Sequence, residues 1–206
     1  LRGSVRGIIA NYFKHEYTGI DLSKKQIESN YEQAKFIVPD NIPNWIVGDS
    51  EKELYNIQDD FDFIFSCPPY MNLEIYSDHV DDLSNMTIEN FTKKYDNIIS
   101  SSCKLLKENR FACFVVGDIR DKKGFYIGLP ELTKNIFIKN GLKLYNEIIL
   151  LNEVGSAQVR INTFMRTRKM IKIHQNILIF YKGDTRKITE IFKLDDIRTD
   201  IDRSFF

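Results

Sequence analysis

Residues 61–70 read Phe61-Asp62-Phe63-Ile64-Phe65-Ser66-Cys67-Pro68-Pro69-Tyr70. The first six form a short apolar, β-favouring run, and the prolines end it, because each lacks a backbone donor and fixes φ. A strand that meets a stiff bend carrying an aromatic ring is the reading that decides the fold. Outward from it, short β-rich runs at 17–21, 45–48, 110–117, 143–151 and 174–182 alternate with helical patterns at 23–37, 87–107 and 129–140. Such alternation specifies an α/β domain with a mostly parallel sheet. Ser23 caps the first of these helices and Asn140-Gly141 closes the last. The expected layout is one domain over 1–206, with a core over 1–183, a basic loop or hairpin at 153–173 and a tail at 184–206.

Composition narrows the class. The 206 residues are 43% hydrophobic and 28% charged, enough for one filled core. Lys plus Arg equals Asp plus Glu at 29 each, so affinity for a polyanion must come from local patches. The three cysteines, Cys67, Cys103 and Cys113, lack metal-ligand spacing and an even count. A reducing cytoplasm and no metal are expected. No apolar run approaches the ~18 residues of a spanning helix, so no membrane partner is expected.

In open α/β sheets ligands bind at the carboxyl ends of the strands. There the Pro68 carbonyl and the residue 67 side chain face one small group, and Tyr70 offers a flat face to a planar ring. This suits methylation of an exocyclic amine, whose lone pair is delocalised into its ring until acceptors hold its hydrogens; positioning and polarisation carry that step. The base must also leave the stack, with Tyr70 holding it. Alone, the tetrapeptide also reads as a strand-ending turn with an aromatic lid. Its neighbours change the weighting: Asp21, followed by Leu22, ends one strand run where a carboxylate accepts from ribose hydroxyls, and Asp49, followed by Ser50, ends the next where it accepts from an adenine amine. Gly3-Ser4-Val5-Arg6-Gly7 reads as a glycine turn that a cofactor approaches. Such a turn follows a central strand, which is expected upstream of Leu1 together with the possibility of a further domain.

The series resembles the DNA amino-methyltransferases, in particular phage and prophage modification methylases, over about 1–183. Gly3 to Gly7 resembles the end of their cofactor loop, Thr18-Gly19-Ile20-Asp21-Leu22 their ribose-binding strand, Ser66-Cys67-Pro68-Pro69-Tyr70 their catalytic loop, and the His174–Gly183 segment their late strand. The resemblance implies a Rossmann-like methyltransferase fold with an antiparallel last strand, S-adenosylmethionine as cofactor, and methylation of adenine N6 or cytosine N4, as in restriction-modification. Catalysis falls to Cys67, Pro68, Pro69 and Tyr70, and cofactor binding to Gly3, Ser4, Gly7, Asp21, Leu22, Asp49 and Ser50. Cys67 departs from the pattern, because a thiol accepts hydrogen bonds poorly where the family carries Asp, Asn or Ser.

Arg160, Arg166, Arg168, Lys169 and Lys172 form a stretch without acidic residues. Beside the catalytic edge it suits contacts to DNA phosphates; elsewhere it is a solvated loop. The segment from Met71 to Met86 is expected to close over the base. Two other readings stay open: methylation of RNA or a protein amide, and a nucleic-acid-binding remnant in which Cys67 marks lost catalysis.

Overall fold

The computed structural model describes residues 4–58, 60–70, 82–152 and 161–193. Gly3, Arg160 and most of the segment from Met71 to Met86 lie outside them. Helix α1 (Val5–Tyr12) precedes β1 (Thr18–Asp21), α2 (Lys24–Ile37), β2 (Asn44–Val47), α3 (Ser50–Glu53) and β3 (Phe61–Ser66). Then come α4 (Ile88–Leu105), β4 (Leu106–Val116), α5 (Leu129–Lys139), β5 (Lys143–Leu151), α6 (Ile161–Arg166), β6 (His174–Lys182) and α7 (Ile188–Ile191).

All six expected strands form, but in two sheets: β1 pairs with β2, and the other four run β3-β4-β6-β5. The β1–β2 and β3–β4 pairs are parallel, whereas β6 runs against both β4 and β5. The antiparallel last strand is thus as expected, and the sheet is mixed. β4 starts at Leu106, earlier than 110: Leu106 is buried as α4 ends, pairs with Phe61, and a register shift between Phe61 and Phe63 absorbs the irregularity.

The main core covers one face of the four-stranded sheet. Phe91, Tyr95 and Ile99 recur at helical spacing on α4 and meet Leu129, Ile136 and Phe137 of α5 over Ala112, Phe114, Val116, Leu178 and Phe180. Phe137 stacks on Phe180 at 4.0 Å between centroids. The Tyr95 hydroxyl and Thr133 hydroxyl are 3.0 Å apart, and burial pushes the Tyr95 phenol well above its ordinary value. A buried aromatic of this kind contributes about 2–3 kcal/mol. A second cluster of Ile8, Ile27, Ala34, Val38 and Trp45 fastens α1 and α2 to the small sheet. Arg6 of α1 lies over the Phe65 ring at 4.9 Å, on the face of β3 away from α4 and α5.

The reading of a glycine turn is corrected for Val5 to Gly7, which lie in α1. Gly7 lies inside α1, and a Cβ there would come within 2.8 Å of the Trp45 ring and 3.0 Å of Tyr17, so helix packing explains the glycine. The segment expected as a basic loop or hairpin instead contains helix α6.

Candidate active site

Asp21, Asp49 and residues 67–70 sit where β1, β2 and β3 stop. Pro68 is buried, Cys67 and Tyr70 are half-buried, and the four residues 67–70 follow directly on β3. The Tyr70 hydroxyl donates to the Val115 carbonyl (3.4 Å), accepts from Gln175 Nε2 (2.8 Å), and stands 3.7 Å from Cys67 Sγ. Its ring lies against Gly117, where a Cβ would be 3.4 Å from Tyr70 Cε2. The ring therefore crosses the carboxyl end of β4 and the start of β6, leaning partly on the main core. Its orientation is set by Gln175, which the sequence reading did not single out. The signal available was a polar run, His174-Gln175-Asn176, opening an otherwise apolar strand.

Asp21 closes β1. Its Oδ1 accepts from the Ser23 amide at 2.8 Å, and its carbonyl accepts from Gly48 N–H at 2.9 Å, so the ends of β1 and β2 are level. Leu22 and Ser50 are half-buried beside these ends. Ser4 is buried and donates to Gln33 Oε1, a bond that ties α1 to α2.

Asp49 is more engaged than expected. It is 8% exposed, caps α3 by accepting from Glu51 N–H (3.1 Å), and pairs with Lys94 Nζ at 2.8 Å. Each carboxylate oxygen has two lone pairs, so these bonds leave capacity for another donor. The pair brings the carboxyl end of β2 to the early turns of α4. The sequence signal for it was Lys94 sitting next to Tyr95 on the apolar face of α4. Asp21 and Asp49 are thus both carboxylates at strand ends, Asp21 half-buried and Asp49 buried against Lys94.

Of the basic residues, Arg166 and Arg168 are exposed, while Lys169 and Lys172 are half-buried. Arg168 Nη1 donates to Met165 O at 2.9 Å. Because β6 runs against β4, the segment leading into it emerges at the edge that carries Tyr70. Among the described residues no group of three potential metal ligands occurs, and no helix is long and apolar enough to cross a membrane.

No family model and no curated protein matches the sequence. Solved structures do. TrmN from Thermus thermophilus matches at 13% identity and a TM-score of 0.58, over 88% of this chain and 42% of that one. The O-methyltransferase of a Brevibacillus brevis trans-AT PKS multienzyme, in complex with S-adenosyl-L-homocysteine, matches at 13% identity and a TM-score of 0.53, over 88% and 64%. Magnesium protoporphyrin IX methyltransferase from Synechocystis PCC 6803, with bound SAM, matches at 12% identity and a TM-score of 0.51, over 85% and 63%. The chain thus spans between 42% and 64% of the length of these structures. With the mixed sheet and its reversed last strand, these likenesses show that the chain has the Rossmann-like fold of S-adenosylmethionine-dependent methyltransferases.

Proposed function

We propose that this chain transfers a methyl group from S-adenosylmethionine to an exocyclic amino group of adenine or cytosine in DNA. The observation that carries the reading is the strand-end series: Asp21 on β1, Asp49 after β2 and Cys67-Pro68-Pro69-Tyr70 after β3, on a methyltransferase fold. Asp21 would accept from ribose hydroxyls and Asp49 from the adenine amine. The cofactor supplies an electrophilic methyl group on a sulfonium. The protein's part is to hold the amine: the Pro68 carbonyl accepts one of its hydrogens, Cys67 Sγ faces the same group as a weak acceptor, and the half-buried Tyr70 ring stacks on the base. The methyl carbon would pass from the sulfonium to the nitrogen held at Pro68 and Cys67, and the proton displaced from that nitrogen would leave to water. Fixing the Tyr70 hydroxyl between Gln175 and Val115 supports a positioning role, because the ring is oriented before substrate arrives.

Transfer of tritiated methyl to unmethylated duplex DNA, with RNA and protein as parallel acceptors, tests this. Label in DNA that is lost in Tyr70→Ala is expected. Label confined to RNA or protein would replace the DNA reading.

A further inference from the structure

From the loop between β4 and α5, together with Lys169, we infer a second contact surface for the nucleic-acid backbone, which rests on the DNA reading above. Residues 119–127 form a small hairpin: Arg120 bridges to Tyr126, Asp121 N–H donates to Phe125 O at 2.8 Å, and Ile127 N–H donates to Ile119 O at 3.0 Å. Its base is clasped by Asp118, whose Oδ1 accepts from the amides of Ile119, Gly128 and Leu129 at 3.0, 2.9 and 3.2 Å. Its tip is closed by Asp121 Oδ1, which accepts from Phe125 N–H at 2.8 Å. The buried Ile119 anchors it to the main core. This element is preorganised, so a partner is bound without first ordering it.

The hairpin displays cations and flat rings together. Lys122 and Lys123 are exposed at the tip, Phe125 is 70% exposed and Tyr126 is 48% exposed. Arg120 lies over the Tyr126 ring at 3.9 Å and donates to Gly124 O at 2.8 Å. Gly124, at φ +96°, lies under Lys169: a Cβ there would be 2.7 Å from Lys169 Nζ. The hairpin thus joins the basic segment the sequence identified, and Lys122 and Lys123 extend it. Asp118 and Asp121 each aim one carboxylate oxygen, Oδ1, at backbone amides of the loop, and Glu131 lies at its base beside Gly128, away from the tip that carries Lys122 and Lys123.

The hairpin leaves β4 immediately after Gly117, the residue on which the Tyr70 ring lies. A duplex whose base reaches Tyr70 therefore passes this loop. Cations suit its phosphates, and exposed rings beside them suit an unstacked base. The Asp and Glu side chains of an acidic peptide offer carboxylates but no aromatic face, so the pairing of Lys122 and Lys123 with Phe125 favours a polynucleotide.

The test measures binding of duplex and single-stranded DNA across a salt series, with methyl transfer on the same samples. Lys122→Ala/Lys123→Ala is expected to lower the slope of log affinity against log salt on duplex by about 2. Phe125→Ala is expected to weaken single-strand binding roughly 5- to 100-fold while leaving that slope unchanged. An unaltered slope in the double variant, with wild-type transfer to DNA intact, overturns this surface alone. Absence of wild-type transfer to DNA defeats the reading beneath it, and equal competition by polyglutamate overturns the choice of polynucleotide.

Discussion

Replacing Lys94 with Met tests how the two sheets are joined. Lys94 and Asp49 have side chains 8% and 7% exposed and lie 2.8 Å apart, so neither charge is well solvated. Removing the cation leaves the Asp49 carboxylate buried with the Glu51 amide at one oxygen and no ammonium at the other. Breaking a buried pair from one side costs about 3–5 kcal/mol, mostly because the remaining charge is uncompensated. A domain this size has roughly 5–15 kcal/mol in total. With a urea m-value of about 2 kcal/mol/M, the unfolding midpoint should fall by about 1.5–2.5 M. The Asp49→Asn/Lys94→Met double variant should recover part of that loss, since it buries no lone charge. Equilibrium unfolding followed by circular dichroism reads both. A midpoint within about 0.3 M of wild type for Lys94→Met, or a double variant less stable than either single one, would refute the reasoning.

Gln175→Leu removes the 2.8 Å donor to the Tyr70 hydroxyl at similar side-chain volume, and should lower kcat with little change in KM for S-adenosylmethionine; steady-state kinetics at saturating DNA checks this, and an unchanged kcat contradicts it. Gly7→Ala should destabilise by about 1–3 kcal/mol in chemical unfolding despite the helix preference for alanine, because its methyl meets Trp45 at 2.8 Å. Under native conditions one thiol, Cys67, should react with a disulfide reagent: Cys103 and Cys113 are buried, and burial pushes the Cys103 thiol up to about 12 and that of Cys113 upward as well. Hydrogen bonds from Lys107 and then Arg110 hold the Asp62 carboxyl below 3.8, so its contribution is present above that value and is lost as pH falls through the lowered one. Asp62→Asn should therefore flatten the acid side of the thermal-stability profile, by a modest amount because the Asp62 side chain is 60% exposed.

The strands were legible as β-rich runs, four of them closed by proline or glycine: Pro68 and Pro69 after β3, Gly48 after β2, Gly117 after β4 and Gly183 after β6. The helices were legible from spacing, as with Phe91, Tyr95 and Ile99. What the sequence hid are contacts between residues remote in the chain. Gln175 meets Tyr70 across 105 positions, and Lys94 meets Asp49 across 45. Nothing local in either segment names its partner. Gly7 misled for the opposite reason: a glycine removes a side chain without saying whether a ligand or an indole fills the space, and here it is Trp45. The hairpin at 119–127 escaped because its basic and acidic residues alternate, so no run of charge marks it, although its folded shape puts the lysines outward and turns the aspartate oxygens to the backbone.

Nucleoside analysis of unmethylated DNA after incubation with the protein and S-adenosylmethionine tests the central claim most directly. The account predicts N6-methyladenine or N4-methylcytosine with wild type and its loss with Tyr70→Ala. Unmodified DNA from a folded, cofactor-binding protein, or equal product from the Tyr70 variant, would contradict it.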